Sequence, residues 1–186
     1  MLRESQPRVL RVSPWEVLAL SMTLFVALGH AQTVSEYQAK ALYVYNFAKF
    51  VEWPVHAFTS SAAPLQLCVF RENPFGSDLE QIIEGKTIAG HPVRVVTVQN
   101  GGEARGCHLL FISASQNRQS VKVLGVLGDG SVLTVGESKG FTQQGGIINF
   151  VVQDDRVQFE INQRAAEQAR LNISSRLLSL ARLVIK

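Results

Sequence analysis

The chain has 186 residues and a formal net charge of +3. Apolar residues make up 46% of the sequence, which predicts a packed core and argues against intrinsic disorder. The positive charge is spread along the chain without a run of Lys or Arg, so the composition does not favour nucleic-acid binding. The two cysteines, Cys68 and Cys107, are too few for a four-cysteine zinc site but sufficient for one disulfide.

The first 31 residues have the pattern of a secretory signal peptide. Three arginines precede an apolar run from Val17 to Leu28, which is shorter than the roughly twenty residues that a transmembrane helix needs. The run is followed by Gly29-His30-Ala31, with small residues where a signal peptidase requires them. We therefore expect cleavage after Ala31 and a single exported domain from Gln32 to Lys186, without a membrane span of its own.

The mature chain opens with a predicted helix from Ser35 to Trp53, because Pro54 cannot continue a helix. Helical spacing places one group of its side chains on a single face, which we expect to pack on the sheet: Tyr37, Ala41, Val44, Tyr45, Ala48 and Val51. Tyr43, Phe47 and Phe50 lie on a second side. A helix that is apolar on two sides is either buried twice or presented to a partner. We take these three aromatic residues as candidates for contact with a partner or a second copy.

Strands and helices alternate after Pro54. The strands are predicted at Leu65–Phe70, Val93–Val98, His108–Ile112 and Val132–Val135. The helices between them are predicted at Pro74–Glu84 and Ser115–Leu127, the latter with its apolar stripe at Val121, Leu124 and Leu127. Gly101-Gly102 is typical of a turn. This alternation predicts a mostly parallel sheet with helices on both faces.

The remaining segments are expected to close the sheet. Ile147–Val152 and Val157–Ile161 are separated by Gln153-Asp154-Asp155-Arg156, which favours an antiparallel hairpin with a four-residue loop. Two C-terminal helices are predicted at Gln163–Leu171 and Ser174–Ile185. The apolar residues Leu177, Leu178 and Leu183 of the last helix compete with the aromatic helix as a contact surface. The fold class is therefore α/β with a mixed, mostly parallel sheet.

No catalytic constellation is evident in the sequence. Gly85-Lys86-Thr87 resembles the end of a phosphate-binding loop, but the upstream glycine that such a loop needs is replaced by Glu80. The histidines of the mature chain do not have metal-ligand spacing. The sequence accordingly predicts neither an enzyme nor a protein with a metal or cofactor.

Two interpretations of the cysteines compete. Cys107 beside His108 could form an activated thiolate, but adjacent residues of a strand point to opposite faces. A disulfide between Cys68 and Cys107 is the simpler interpretation for an exported protein. It requires the strands that begin at Leu65 and His108 to be neighbours, as they are in a 2-1-3 strand order. We expect the native protein to have no free thiol.

Six segments of the chain resemble the YfiR family of exported bacterial proteins. They are AKALYVYNFAKFVEWP (39–54), CHLLFIS (107–113), VLTVGE (132–137), GGIINFV (145–151), RVQFEIN (156–162) and ISSRLLSLARLV (173–184). The resemblance implies a periplasmic α/β protein that is often dimeric. It also implies a regulator that binds the periplasmic sensor domain of a membrane-bound diguanylate cyclase and lowers cyclic-di-GMP. The second cysteine pair of some family members is missing here, so a redox response could involve only Cys68 and Cys107.

An alternative hypothesis is a periplasmic receptor for a small ligand, or a sensory input protein of another signalling system. Its pocket would be expected at the carboxyl ends of the parallel strands. Either hypothesis describes a binding protein rather than an enzyme.

Overall fold

A computed structural model describes residues 36–186; the predicted signal peptide lies outside these residues. The first helix, α1, occupies residues 36–49. The other helices are α2 (Asp78–Ile83), α3 (Gly101–Ala104), α4 (Asn117–Leu127), α5 (Gln163–Gln168) and α6 (Ser175–Leu180). The strands are β1 (Val51–Glu52), β2 (Leu65–Phe70), β3 (Thr87–Ile88), β4 (His91–Val98), β5 (Leu109–Ile112), β6 (Leu133–Gly136), β7 (Ile148–Gln153), β8 (Arg156–Asn162), β9 (Asn172–Ile173) and β10 (Leu183–Ile185). None of these helices is long and apolar enough to cross a membrane.

Eight strands form a mixed sheet in the order β10-β8-β7-β6-β5-β2-β4-β3. The central strands β4, β2, β5, β6 and β7 are parallel, whereas the β7–β8 and β3–β4 pairs are antiparallel. The predicted α/β class with a mostly parallel sheet is therefore confirmed. The predicted 2-1-3 order is confirmed as well, because β2 lies between β4 and β5. A separate two-stranded sheet pairs β1 with β9.

The sheet separates two hydrophobic cores, because alternate residues of a strand face opposite sides. Leu67 and Val69 of β2 belong to the first core, which also contains buried residues of α1, α2, α5 and α6. Cys68 and Phe70 belong to the second core, which contains buried residues of α3 and α4. The prediction of helices on both faces is thus confirmed.

The predicted helices at Pro74–Glu84 and Gln163–Leu171 are observed only at Asp78–Ile83 and Gln163–Gln168, and two other predicted helices lose their last residues to strands. The helix expected to reach Trp53 ends at Lys49, because Val51 and Glu52 pair with Ile173 and Asn172 as an antiparallel strand. The helix expected to reach Ile185 ends at Leu180, because β10 pairs in parallel with β8. In both cases the residues fit a helical pattern but form a strand, because they pair with a strand that is distant in the sequence.

Local predictions differ in three further places. Helix α4 buries Ser120, Val123 and Leu127, and Val121 of the predicted stripe is 59% exposed. The Gly101-Gly102 turn is the start of α3, where the Asn100 side chain accepts hydrogen bonds from two backbone N–H groups. The β7–β8 loop contains two residues rather than four, since Gln153 pairs with Arg156.

A buried ion cluster fixes α1 to the sheet. The Lys40 ammonium, in a residue that is only 3% exposed, lies 2.6 Å from Glu137 Oε2 just beyond β6 and also contacts Glu36. The second Glu137 oxygen accepts hydrogen bonds from the Tyr37 hydroxyl and the Ala114 backbone N–H. Burial, followed by the charge of Glu137, raises the pKa of Tyr37. The cluster therefore joins α1 to the carboxyl ends of β5 and β6.

Candidate functional site: an aromatic groove beside the disulfide

The disulfide joins β2 to the residue pair that precedes β5. Cys68 and Cys107 are bonded, with Cα atoms 5.8 Å apart. The two segments are neighbours because β2 pairs in parallel with β5, with Cys68 opposite Leu110. The predicted disulfide is therefore confirmed, and the alternative of an activated thiolate at Cys107 is wrong for the oxidised chain.

His108, which follows the disulfide, is held in a neutral form. Its Nδ1 accepts a hydrogen bond from the Gln66 backbone N–H, which places the ring proton on Nε2. The carbonyl of His108 accepts a hydrogen bond from Trp53 Nε1 at 3.1 Å. Burial is the main cause that lowers the pKa of His108, and the charge of His91 lowers this pKa further. A hydrogen bond with the Ala57 backbone raises the pKa and offsets part of that effect.

Phe58 is stacked between two histidines. Its ring lies 3.7 Å from the His91 ring on one side and 4.3 Å from the His108 ring on the other. His91 Nδ1 lies 2.7 Å from the Ala63 carbonyl, so both ends of the 58–63 loop contact His91. These contacts hold the loop over the amino ends of β2, β4 and β5.

A groove of about 670 Å³ lies along this loop. Its charged residues are Lys49 and Glu52, and most of its apolar lining comes from Val51, Trp53, Val55, Phe58, Leu65 and Ile88. Val55 is 91% exposed and lies at the rim of this apolar lining. A concave apolar wall with an exposed aliphatic side chain at its edge is typical of a binding surface.

A second cavity of about 430 Å³ lies on the disulfide side of His108. Its lining includes Cys107, His108, Arg105 and Arg170. Both cavities are at the amino ends of the parallel strands. A third cavity, lined by Glu137 and Lys139, lies at the carboxyl end of β6, the kind of position that the small-ligand hypothesis expected. Among the described residues, no group of three or more His, Cys, Asp or Glu side chains could hold a metal ion.

The residues predicted as contact candidates have different environments. Phe47 is completely buried and Leu177 is 3% exposed, so the expectation that these two side chains contact a partner is corrected: both fill the first core. Tyr43 is half-buried and packs against Phe47, Phe150 and Phe159 at centroid distances of 5.8 to 6.0 Å.

The other three candidates remain partly accessible. Phe50 is half-buried beneath the Arg176 guanidinium, 5.5 Å from its ring. Leu178 is half-buried, and Leu183 is exposed on the edge strand β10 rather than on a helix. The groove around Val55 was missed in the sequence analysis, because the three segments that line it come together only in the fold. The signal that could have found it is the group of large apolar side chains, Trp53, Val55 and Phe58, close to the helix-ending Pro54.

No curated protein sequence matches the chain. The ABC domain from Streptococcus pneumonia, solved in complex with L-Trp, has 12% identity and a TM-score of 0.48, with coverage of 70% of this chain and 58% of that chain. A conserved domain protein from Vibrio cholerae O1 biovar eltor has 10% identity and a TM-score of 0.44, with coverage of 64% and 54%. The chain therefore spans little more than half of either structure, and neither supports a functional conclusion.

The match to a protein family covers most of the chain. The family model described as YfiR/HmsC-like matches residues 37–182, which include both cysteines, the residues that line the aromatic groove, helices α2 to α6 and all but the first residue of α1. The chain belongs to the YfiR/HmsC-like family.

Proposed function

We propose that this protein is an exported, periplasmic regulator that binds the periplasmic sensor domain of a membrane-bound diguanylate cyclase and lowers cyclic-di-GMP. The family match supports a YfiR-type regulator, and the Cys68–Cys107 disulfide is consistent with an oxidising compartment. Binding would favour the inactive state of the cyclase, since a partner shifts a conformational equilibrium only by binding one state more tightly.

The observation that carries the proposal is the apolar groove with Val55 at its edge. Val55 lies in a short 3₁₀ helix, Val55–Ala57, without buried residues. Its substitution should therefore leave the core intact. We propose that Val55, Trp53 and Phe58 contact the cyclase, because apolar and aromatic side chains in a concave surface dominate binding energies.

The test is genetic complementation with a matched control. Deletion of the gene should raise cyclic-di-GMP, and only in a strain that retains the cognate cyclase. Wild-type protein and Val121→Asp should restore the low level, because Val121 is an exposed valine on α4, away from the groove. Val55→Asp should fail to restore it at equal protein abundance. An unchanged cyclic-di-GMP level after deletion would exclude the proposed function.

A small-ligand receptor is the second candidate function. The groove volume of about 670 Å³ is within the range of small-molecule pockets, roughly 300–1,000 Å³. Thermal-shift measurements with small aromatic compounds would test this function. A shift that Trp53→Ala abolishes, together with no cyclase in a pull-down, would favour the receptor over the cyclase regulator.

We also propose that the protein forms a homodimer through its C-terminal segment. Leu180 is 63% exposed and Leu183 is exposed on the edge strand. Sedimentation of Leu180→Asp beside wild type tests this contact. Equal masses for the two proteins would place the dimer contact elsewhere or exclude it.

A further inference from the structure

One edge of strand β7 is left partly unpaired by its neighbouring strand in the sheet. Strand β6 pairs with β7 at only two positions, Val135–Ile148 and Gly136–Asn149. Strand β7 continues to Gln153 and pairs with β8 along its whole length. Residues 150–153 therefore have a neighbouring strand on one side only. An unpaired strand edge is a ready template for another extended chain.

The backbone of Val152 faces the open side. Asp154 and Asp155 both have left-handed φ values, 51° and 56°, as in the two-residue hairpin turn that has positive φ at both positions. The closing pair, Gln153 and Arg156, then exchanges both ladder hydrogen bonds, and hydrogen-bonded pairs alternate along the hairpin. Val152 therefore directs its N–H and C=O away from β8.

A groove of about 520 Å³ runs beside this edge. Residues 149–152 and Glu160 line one side, and Glu137, Lys139, Gly140 and Gln143 line the other. Asn149 is 3% exposed, and its Oδ1 has no hydrogen-bond donor among the described residues. A buried acceptor without a donor is costly, so Asn149 is an unfavourably buried polar residue at this groove.

We infer that the β7 edge binds one extended polypeptide segment of a partner protein as an added strand. The unpaired N–H and C=O groups of Val152 can form hydrogen bonds with the main chain of an added strand, as in other cases of strand addition. The segment that includes Glu137 and Gln143 lines the same groove, so an added strand would lie between this segment and β7, where a second folded sheet would have to approach past the segment. A second copy of this folded chain is therefore a poorer occupant than a flexible segment.

The side-chain environment defines the chemistry of that segment. Asn149 and Glu160 are a cross-strand pair, so their side chains share one face of the sheet. Glu160 has only a long contact with Arg182, at 3.9 Å. A side chain of the added strand that carries N–H donors, namely Lys, Arg, Asn or Gln, would therefore complement the Glu160 carboxylate, which lines the groove.

The test uses Val152→Pro with Val152→Thr as its control, and the periplasmic domain of the cognate cyclase as the probe. The choice of probe rests on the proposed function. Proline removes the N–H on the open side and leaves the β8 ladder intact, whereas threonine keeps the N–H and a similar shape. We expect binding to weaken about tenfold or more for Val152→Pro, as for the loss of a main-chain hydrogen bond, and less than twofold for Val152→Thr.

Amide hydrogen exchange provides a second measurement that needs no variant. The Val152 amide should exchange rapidly in the free protein and at least tenfold more slowly in the complex. Equal exchange in both states, or wild-type affinity of a folded Val152→Pro, overturns strand addition. If either result overturns strand addition while Val55→Asp still abolishes binding, only strand addition is rejected and the proposed function is retained. Failure of the wild-type protein to bind the cyclase domain overturns both proposals.

Discussion

Phe141 shows how strongly single residues are constrained in the connection between β6 and β7. The ring is buried in the second core, against the backbone of Gly136 and Gly146. A Cβ at Gly136 would lie 2.5 Å from Phe141 Cγ, and a Cβ at Gly146 would lie closer still to the ring. The two glycines therefore make room for an aromatic side chain that closes the second core.

We expect Gly146→Ala to lower the free energy of unfolding by about 1–3 kcal/mol, because overpacking displaces a buried ring. Gly125→Ala is the matched control: it lies in α4 with no atom within 4 Å of the added methyl group. That change should stabilise the protein by about 0.5–1 kcal/mol, since alanine is the better helix former. Urea unfolding of both variants measures the difference, and equal midpoints would show that Phe141 can move.

The neutral His108 makes stability depend on pH in a defined direction. The unfolded chain has the ordinary histidine pKa of 6.5, and burial lowers the pKa of the folded state. The contribution is therefore present above about pH 6.5 and is lost as the pH falls through 6.5 towards the folded pKa. We expect wild-type stability to decrease between pH 7.5 and pH 5 more steeply than that of His108→Gln. Parallel curves for the two proteins would contradict this account.

At the scale of elements, the ion cluster of Lys40 determines how α1 is attached. Hydrophobic residues such as Val44 and Phe47 bury the helix in the first core, and this burial is not directional. The contacts among Lys40, Glu137 and Tyr37 are directional and join the helix to β6 at one point. Helix α1 is thus positioned by its polar contacts and stabilised by its apolar contacts.

Removal of one charge from this cluster should be costly. We expect Lys40→Met to lower the free energy of unfolding by about 3–5 kcal/mol, because Glu137 is left buried and unpaired. Adding Glu137→Gln should recover part of the loss, since the amide oxygen can still accept from Tyr37 and Ala114. Arg170→Met is the surface control: it breaks an exposed pair with Asp129 and should cost less than about 1 kcal/mol. Guanidinium unfolding of wild type, the two single variants and the double variant would measure these differences in unfolding free energy. Equal losses for Lys40→Met and Arg170→Met would contradict the stabilising role of the buried cluster.

For the molecule as a whole, the two proposed contact regions lie at different places on the same sheet. The aromatic groove lies at the amino ends of β2 and β4, and the disulfide joins the middle of β2 to the residues before β5. The open edge of β7 begins beyond the carboxyl end of β6. Both proposed contact regions are thus built on the same rigid sheet. The disulfide links the two strands next to the aromatic groove.

We expect the double variant Cys68→Ala/Cys107→Ala to lose about 4 kcal/mol of unfolding free energy in the chain-entropy model, because the bond closes a loop with a sequence separation of 39. Reductant should lower the unfolding midpoint of wild type and leave the double variant unchanged. Thiol titration of the native, unreduced protein should find no free thiol. A wild-type midpoint that does not respond to reductant would contradict the stabilising role of the bond.

The sequence by itself was sufficient for the central sheet. Leu65–Phe70 was predicted with its observed bounds, and the alternation of strands and helices predicted the mostly parallel sheet. The two cysteines of an exported chain predicted the disulfide, and with it neighbouring strands β2 and β5. These features depend on local periodicity and on the short connections of parallel strands, which a single sequence contains.

Only the tertiary structure decided the features that depend on distant partners. Residues 51–52 form a strand because they pair with residues 172–173, and the side chains of Glu52 and Asn172 are hydrogen-bonded although 120 residues apart in the chain. Helix periodicity also fits Phe47 and Leu183, so the pattern could not show that one is fully buried and the other lies on an edge strand. The aromatic groove and the open edge of β7 arise in the same way, since each depends on where a neighbouring segment ends.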